Sequence, residues 1–294
     1  MGSEVSRRKA LKTIITGTAV LGVSAALPSQ ALAKDLIPAP LKGNVNHAVC
    51  RWCFSSIPLE ELCIAAKQMG IKGIDLVGPE DWPVLKKHGL HSSMCNGAEI
   101  NLVDGWNDPK FHDQLIENYT KMIPLVAKAG YTNLICFSGN RRGKDDETGF
   151  NNCVEGLKKI LPLAEKHKVV LVMELLNSKI DHKDYQCDRV SWGAELAKRL
   201  GSENFKLLYD IYHMQIDEGD VIRNIRTFHP YINHYHTGGV PGRNEIDETQ
   251  ELYYPAITKA ILETGFKGFL AQEFIPKHED KLQSLRNAIK ICDQ

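Results

Sequence analysis

Short apolar runs alternate with amphipathic segments through most of this chain, and that alternation leaves few folds open. Strand character falls over residues 45–53, 73–77, 90–95, 133–137, 169–175, 205–210, 231–236 and 268–274. Helical periodicity falls over 59–69, 82–88, 109–129, 150–167, 191–200, 221–228, 252–264 and 281–292. The hydrophobic period switches between about 2 and 3.6 residues from one segment to the next, the mark of strand–helix repeats. Val169-Val170-Leu171-Val172-Met173 is apolar on both faces, as a parallel strand covered on each side must be. Several helical segments stop at a glycine (Gly70, Gly130, Gly201, Gly265) just before the next strand, where a residue without a Cβ closes the last turn. Repeated βα units with no Gly-rich phosphate turn predict a single-domain (β/α)₈ TIM barrel rather than a doubly wound sheet.

The start of the chain stands outside that pattern. Ser6-Arg7-Arg8-Lys9 precedes an apolar run over 13–27, and Ala31-Leu32-Ala33 has the small residues of a cleavage site. In this order they predict a twin-arginine export signal over 1–33, with the barrel over 34–294. The expected location is the periplasm or the envelope. The apolar run is too short and too rich in Gly, Ala and Thr for a convincing bilayer span, so no membrane span is expected in the mature chain. The 36 basic residues balance 36 acidic ones, and nothing in that balance suggests nucleic acid or an anionic membrane as a partner. The eight cysteines are an even number in an exported chain, which invites a disulfide reading. Most lie inside apolar runs, where free cysteine behaves as a small buried hydrophobe. Cys50-Arg51-Trp52-Cys53 lacks a second pair to complete a zinc set and falls within a strand.

A barrel of this kind carries its site at the C-terminal ends of its strands. The polar residues there are Glu174, Asp210, His236 and Glu273, about one βα unit apart on the last four strands. Three converging carboxylates without a cation would repel, and one would take up a proton. A divalent metal resolves the conflict. Oxygen ligands with one imidazole suit Mn²⁺, Mg²⁺ or Co²⁺ better than a thiolate site. His234 lies two residues from His236 and shares its face. The same strand opens into Gly238-Gly239-Val240-Pro241-Gly242-Arg243, a loop signal that ends on a cation.

Met173-Glu174-Leu175-Leu176-Asn177, Tyr209-Asp210-Ile211-Tyr212-His213-Met214-Gln215, His234-Tyr235-His236 with Pro241-Gly242-Arg243, and Gln272-Glu273-Phe274 resemble the hydroxypyruvate isomerase family. That family belongs to the xylose-isomerase-like barrels, which also include the ketose 3-epimerases, and the resemblance runs over essentially the whole mature chain. It implies a metal held by Glu174, Asp210, His236 and Glu273. It also implies that Glu174 and Glu273 shuttle a proton between neighbouring carbons of a small sugar or hydroxy-keto acid. The reaction would be aldose–ketose isomerisation through an enediolate. His213 would polarise a substrate oxygen, and Arg243 would fork onto a carboxylate or hydroxyl. Asn177 would orient Glu174 or bind substrate, and His91 would join Glu99, Trp52 and Trp106 in the pocket wall.

The chain departs from the family in three places. Typical hydroxypyruvate isomerases carry Gln where this chain has His236. The epimerases carry a second Glu where it has Ile180, and residues 178–188 lack the Arg-Asp pair usual in the isomerases. A 3-epimerase or an inosose-type dehydratase on the same metal therefore stays open, as do a non-catalytic exported sugar-binding protein and a homo-oligomer. A phosphodiester-cleaving relative would need more strand-end histidines.

Overall fold

The structure, a computed structural model, describes residues 40–294. The export signal expected over 1–33 lies outside the described residues. Eight parallel strands close into one barrel. They are β1 (Asn46–Cys50), β2 (Gly73–Val77), β3 (His91–Cys95), β4 (Asn133–Cys136), β5 (Val170–Glu174), β6 (Phe205–Asp210), β7 (Ile232–Thr237) and β8 (Phe269–Gln272). β1 closes the ring by pairing with β8, Ala48 opposite Ala271.

The helices outside the barrel follow the amphipathic pattern. They are α1 (Leu59–Gln68), α2 (Trp82–Lys87), α3 (His112–Ala129), α4 (Asp146–His167), α5 (Val190–Leu200), α6 (Ile211–Asp217), α7 (Val221–Phe228), α8 (Tyr254–Glu263) and α9 (Lys281–Cys292). α4 shows why they form. Asp145 caps it by accepting from the Thr148 amide, and Cys153, Leu157, Ile160 and Ala164 make one buried stripe, spaced three and four residues apart as a helix packed on a sheet requires. α3 closes on Gly130 at φ +83°, a left-handed residue that only glycine takes without strain.

All eight cysteines are free and buried, so they serve the core as apolar residues. No helix among the described residues is long and apolar enough to cross a membrane.

Two differences from the expected elements bear on function. The first strand ends at Cys50, and Trp52–Phe54 forms a 3-10 turn that brings Trp52 over the barrel mouth. The strand ending at Asp210 passes directly into α6, a helix the periodicity did not reveal. The Asp210 carboxylate caps α6 by accepting from the His213 amide, so one residue ends the strand and starts the helix.

Candidate active site

Strand register delivers the four strand-end residues to one place. Glu174 pairs with Leu208, two residues before Asp210, and Asp210 pairs with His236. His236 pairs with Ala271, two residues before Glu273. Residues two apart on a strand share a face, so all four point into the barrel, and the stagger of the closed sheet aligns them. One donor atom from each lies within 4.8 Å of the others. Asp210 and His236 are fully buried, and Glu174 and Glu273 nearly so.

Burial makes this cluster electrostatically uneven. It pushes Asp210 up to about 8, with Glu273 and Glu174 adding to the rise and Arg243 and His236 opposing it. Burial also raises Glu174, helped by the charge of Glu273. Glu273 goes the other way, because Arg243 and His236 outweigh the burial that would raise it. Its Oε1 accepts from the Trp52 indole at 2.6 Å, and its Oε2 from Arg243. Among the described residues, the ion-pair partner of the Glu174 carboxylate is His236 Nδ1 at 3.3 Å. One glutamate is thus tied down, and the other faces the cavity largely free.

Arg243 supplies positive charge from the loop after β7. Its Nη2 donates to Asp210 Oδ2 at 2.6 Å, and its Nη1 meets His213 Nε2 at 2.7 Å. The guanidinium lies against the rings of Tyr212 and Trp52, at 5.1 and 5.6 Å, a stacked arrangement that favours arginine. The Gly-Gly pair makes this fold-back feasible. A Cβ at Gly239 would sit 2.2 Å from the Glu245 carbonyl oxygen, and one at Gly238 would sit 3.0 Å from Tyr212 Cβ. Arg243 itself adopts φ +56°, a conformation that costs energy in a residue with a Cβ and that clusters at functional sites.

His213 and Asn177 act as one unit. His213 is fully buried, and its Nδ1 lies 2.6 Å from the Asn177 side-chain amide. Asn177 also donates to Asp181 at 2.6 Å. It therefore steadies His213 and the loop after β5, and makes no contact with Glu174 of the kind expected.

His91 requires a correction. It opens β3 at the N-terminal rim, stacked on Phe269 at 5.6 Å and edge-on to Tyr131 at 4.8 Å. The first residue of a strand sits at the end away from the site, so His91 is a packing residue. Glu99 caps its own loop by accepting from the Gly97 and Ala98 amides, and Trp106 is buried against His112 and Tyr119.

A cavity of about 560 Å³ opens above the cluster. Trp52, Leu76, Leu102, Phe137, Ile180 and Ile275 form its apolar walls, and Asp181, His182, Tyr212 and Arg243 its polar side. His182, not anticipated from the sequence, is half-buried with its ring 5.1 Å from that of His213. The other residue missed was Asp75 of β2, whose carboxylate lies 2.9 Å from His236 Nε2.

The donor set fits a divalent cation. His236 Nδ1 is buried and lacks an aligned hydrogen-bond partner, although Glu273 Oε2 lies 2.5 Å away. One imidazole nitrogen among three carboxylates is the mixed set that Mn²⁺, Mg²⁺ and Co²⁺ accept.

A parallel barrel with an acid-rich cluster at its C-terminal mouth defines a class of barrel enzymes. The chain belongs to the xylose isomerase-like TIM barrel family, whose model matches residues 64–292. Hydroxypyruvate isomerase of Escherichia coli is 25% identical over 223 residues, 72% of this chain and 86% of that protein. The 2-oxo-tetronate isomerase of Pectobacterium atrosepticum is 22% identical over 242 residues, 78% of this chain and 92% of that protein. A human relative matches more locally, at 31% identity over 124 residues, 42% of this chain and 45% of that protein. In fold, the chain is similar to the crystal structure of 3-keto-D-glucoside 4-epimerase from E. coli. The TM-score is 0.69 at 16% identity, over 84% of this chain and 98% of that one. The chain thus stands among isomerases built on this barrel.

Proposed function

We propose that this protein is a metal-dependent aldose–ketose isomerase, with Glu174, Asp210, His236 and Glu273 as the metal ligands. The observation that carries the reading is the convergence of these four buried donors at the floor of one open cavity. A bound divalent cation would act there as a Lewis acid on the carbonyl and neighbouring hydroxyl of the substrate. The remaining work falls to the chain's own residues. Glu174, raised by burial and partnered by His236 alone among the described residues, is the better base and takes the proton from the carbon next to the carbonyl. Glu273, held low by Arg243, His236 and Trp52, stays ionised, so the proton delivered to the neighbouring carbon is the one that Glu174 carries, which restores the Glu174 carboxylate. His213 backs Arg243 beneath the cavity, His182 offers its ring to a substrate oxygen from the cavity side, and the apolar walls keep bulk water from the carbanionic stage.

Hydroxypyruvate itself is not the substrate that the cavity favours. Arg243 is the one Lys or Arg among the residues lining it, and its donors are already taken by Asp210, Glu273 and His213. Apart from the proposed cation, a substrate carboxylate would meet Glu174, Glu273 and Asp181 with no unpaired Lys or Arg beside them in the cavity lining. Apolar walls around about 560 Å³ suit the C–H faces of an uncharged sugar better than a three-carbon acid. The same observation supports a second reading, epimerisation beside a ketose carbonyl on the same ligands. Export by the twin-arginine route to the periplasm, proposed from residues 1–33, agrees with a sugar met outside the cytoplasm.

The test is solvent deuterium exchange with metal-loaded protein on a panel of aldoses, ketoses and hydroxypyruvate. Deuterium entering a neutral sugar, with interconversion of aldose and ketose, is the expected result. Label entering at an epimerised carbon alone would support the second reading. Metal binding with no exchange across the panel would reduce the protein to a sugar binder.

A further inference from the structure

Beneath the four proposed ligands the barrel interior holds buried polar groups that the chemistry above leaves unused. We propose that Asp75 is a positioning residue, which holds the His236 ring by Nε2 so that Nδ1 is turned toward Glu174, Asp210 and Glu273. The inference rests on the metal-site reading and adds to it the group that pre-forms its one nitrogen ligand.

Asp75 lies on β2, across the barrel from β7, and is fully buried. A carboxylate withdrawn from water is costly unless its oxygens are satisfied. Here they are. Oδ1 accepts from His236 Nε2 at 2.9 Å and from Cys50 Sγ at 3.5 Å. Oδ2 accepts from Ser93 Oγ at 2.5 Å, with His234 Nε2 alongside at 2.9 Å but off the line of a hydrogen bond. β1, β3 and β7 therefore all hold Asp75 in place. The backbone helps: the β2–β3 register shifts on both sides of Asp75, and Leu76 adopts φ +55°. The distortion sends Asp75 into the interior and Leu76 to the cavity wall.

The two nitrogens of an imidazole lie on different edges of the ring. With Nε2 fixed on Asp75, Nδ1 is left 2.5 Å from Glu273, 3.3 Å from Glu174 and 3.9 Å from Asp210. Turning the ring to carry Nδ1 away would break the Asp75 bond. Carboxylates that grip the far nitrogen of a metal-ligating histidine orient it in this way, and losing one typically lowers metal affinity about 10- to 100-fold. His234 packs edge-on to His236 at 5.2 Å and keeps the ring from tilting. It serves the clamp and not the metal.

The test is a double-mutant cycle on the full chain, read by Mn²⁺ affinity after chelator treatment. Asp75→Asn should weaken Mn²⁺ binding about 10- to 100-fold. In a His236→Gln background, where no ring needs orienting, the same substitution should change affinity less than about threefold. Equal losses in both backgrounds would mean that Asp75 supports the fold and not the ligand. A second readout needs no metal. In the metal-free wild type the His236 Nε2 proton, assigned by its loss in His236→Gln, should exchange slowly in ¹⁵N-histidine spectra. It should exchange quickly in Asp75→Ala. Fast exchange in the wild type, or no change in the variant, overturns the proposal. If the wild type binds no Mn²⁺ but shows the protected proton, the clamp stands and the metal reading falls. Two Mn²⁺ per chain, one lost in His234→Gln, would overturn the clamp by making the trio a site of its own.

Discussion

The two ends of the barrel bury the same kind of side chain and put it to different use. At the N-terminal rim His47 is 1% exposed, and burial pushes it down to about 4 although Asp293 lies 3.9 Å away. His91 at the same rim is also lowered by burial, and it packs between aromatic rings. At the C-terminal rim His236 is as deeply buried, yet Glu273, Cys50 and Asp75 more than reverse the effect of burial and hold it well above its usual range. Burial alone therefore makes a neutral packing residue. What sets the top apart is the acids that three other strands deliver around His236, on which the proposed chemistry rests.

The sharpest way to break this contrast is to remove the free carboxylate at the top. Glu174→Gln should lower turnover on the true substrate at least ~10²- to 10⁴-fold while circular dichroism stays unchanged. Activity near that of the wild type would place the base elsewhere.

At the bottom the contrast predicts a pH effect without chemistry. His47 has a folded pKa of about 4 against an ordinary 6.5. Between those values the unfolded chain binds the proton and the folded chain does not. His47 therefore costs nothing above pH 6.5, and stability falls as the pH drops toward 4, by about 2 kcal/mol at pH 5. Urea unfolding of wild type and His47→Gln from pH 7.5 to 5 isolates this term as a shrinking gap. Parallel curves would mean that His47 titrates normally in the folded protein.

The smallest effects compare two histidines directly. His182→Ala should raise KM by about three- to tenfold, roughly one hydrogen bond to substrate, with metal affinity unchanged. His91→Gln should leave kcat/KM within about twofold, since it lies at the far rim. Steady-state kinetics on both variants would reverse the assignment if His91 proved the more sensitive.

How far the sequence revealed these features depended on their place along a strand. Glu174, Asp210, His236 and Glu273 were legible because each closes an apolar run, and a parallel barrel turns every strand end to one mouth. The same rule should have excluded His91, which begins its strand. Asp75 was not legible. It lies inside Gly73–Val77 as an isolated acid, and only closure of the barrel, which turns it inward toward a residue of β7 far away in sequence, gives it a partner. α6 escaped because Asp210 both ends β6 and caps the helix, leaving no loop to separate the two periods. His182 sits on an irregular loop, where no periodicity tells which way a side chain faces. The role of Asn177 changed because the helix at Asp210 brings His213 against it.

The central claim is that the four strand-end residues hold one divalent cation. Chelator-stripped full-length protein, titrated with Mn²⁺ and read by the loss of the free-ion electron paramagnetic signal, tests it most directly. The account predicts one Mn²⁺ per wild-type chain, weaker binding in His236→Gln, and the weakest in Asp210→Ala, which removes a charge as well as a ligand. A wild type that takes up no Mn²⁺, or an Asp210→Ala variant that binds it as tightly as the wild type, would contradict it.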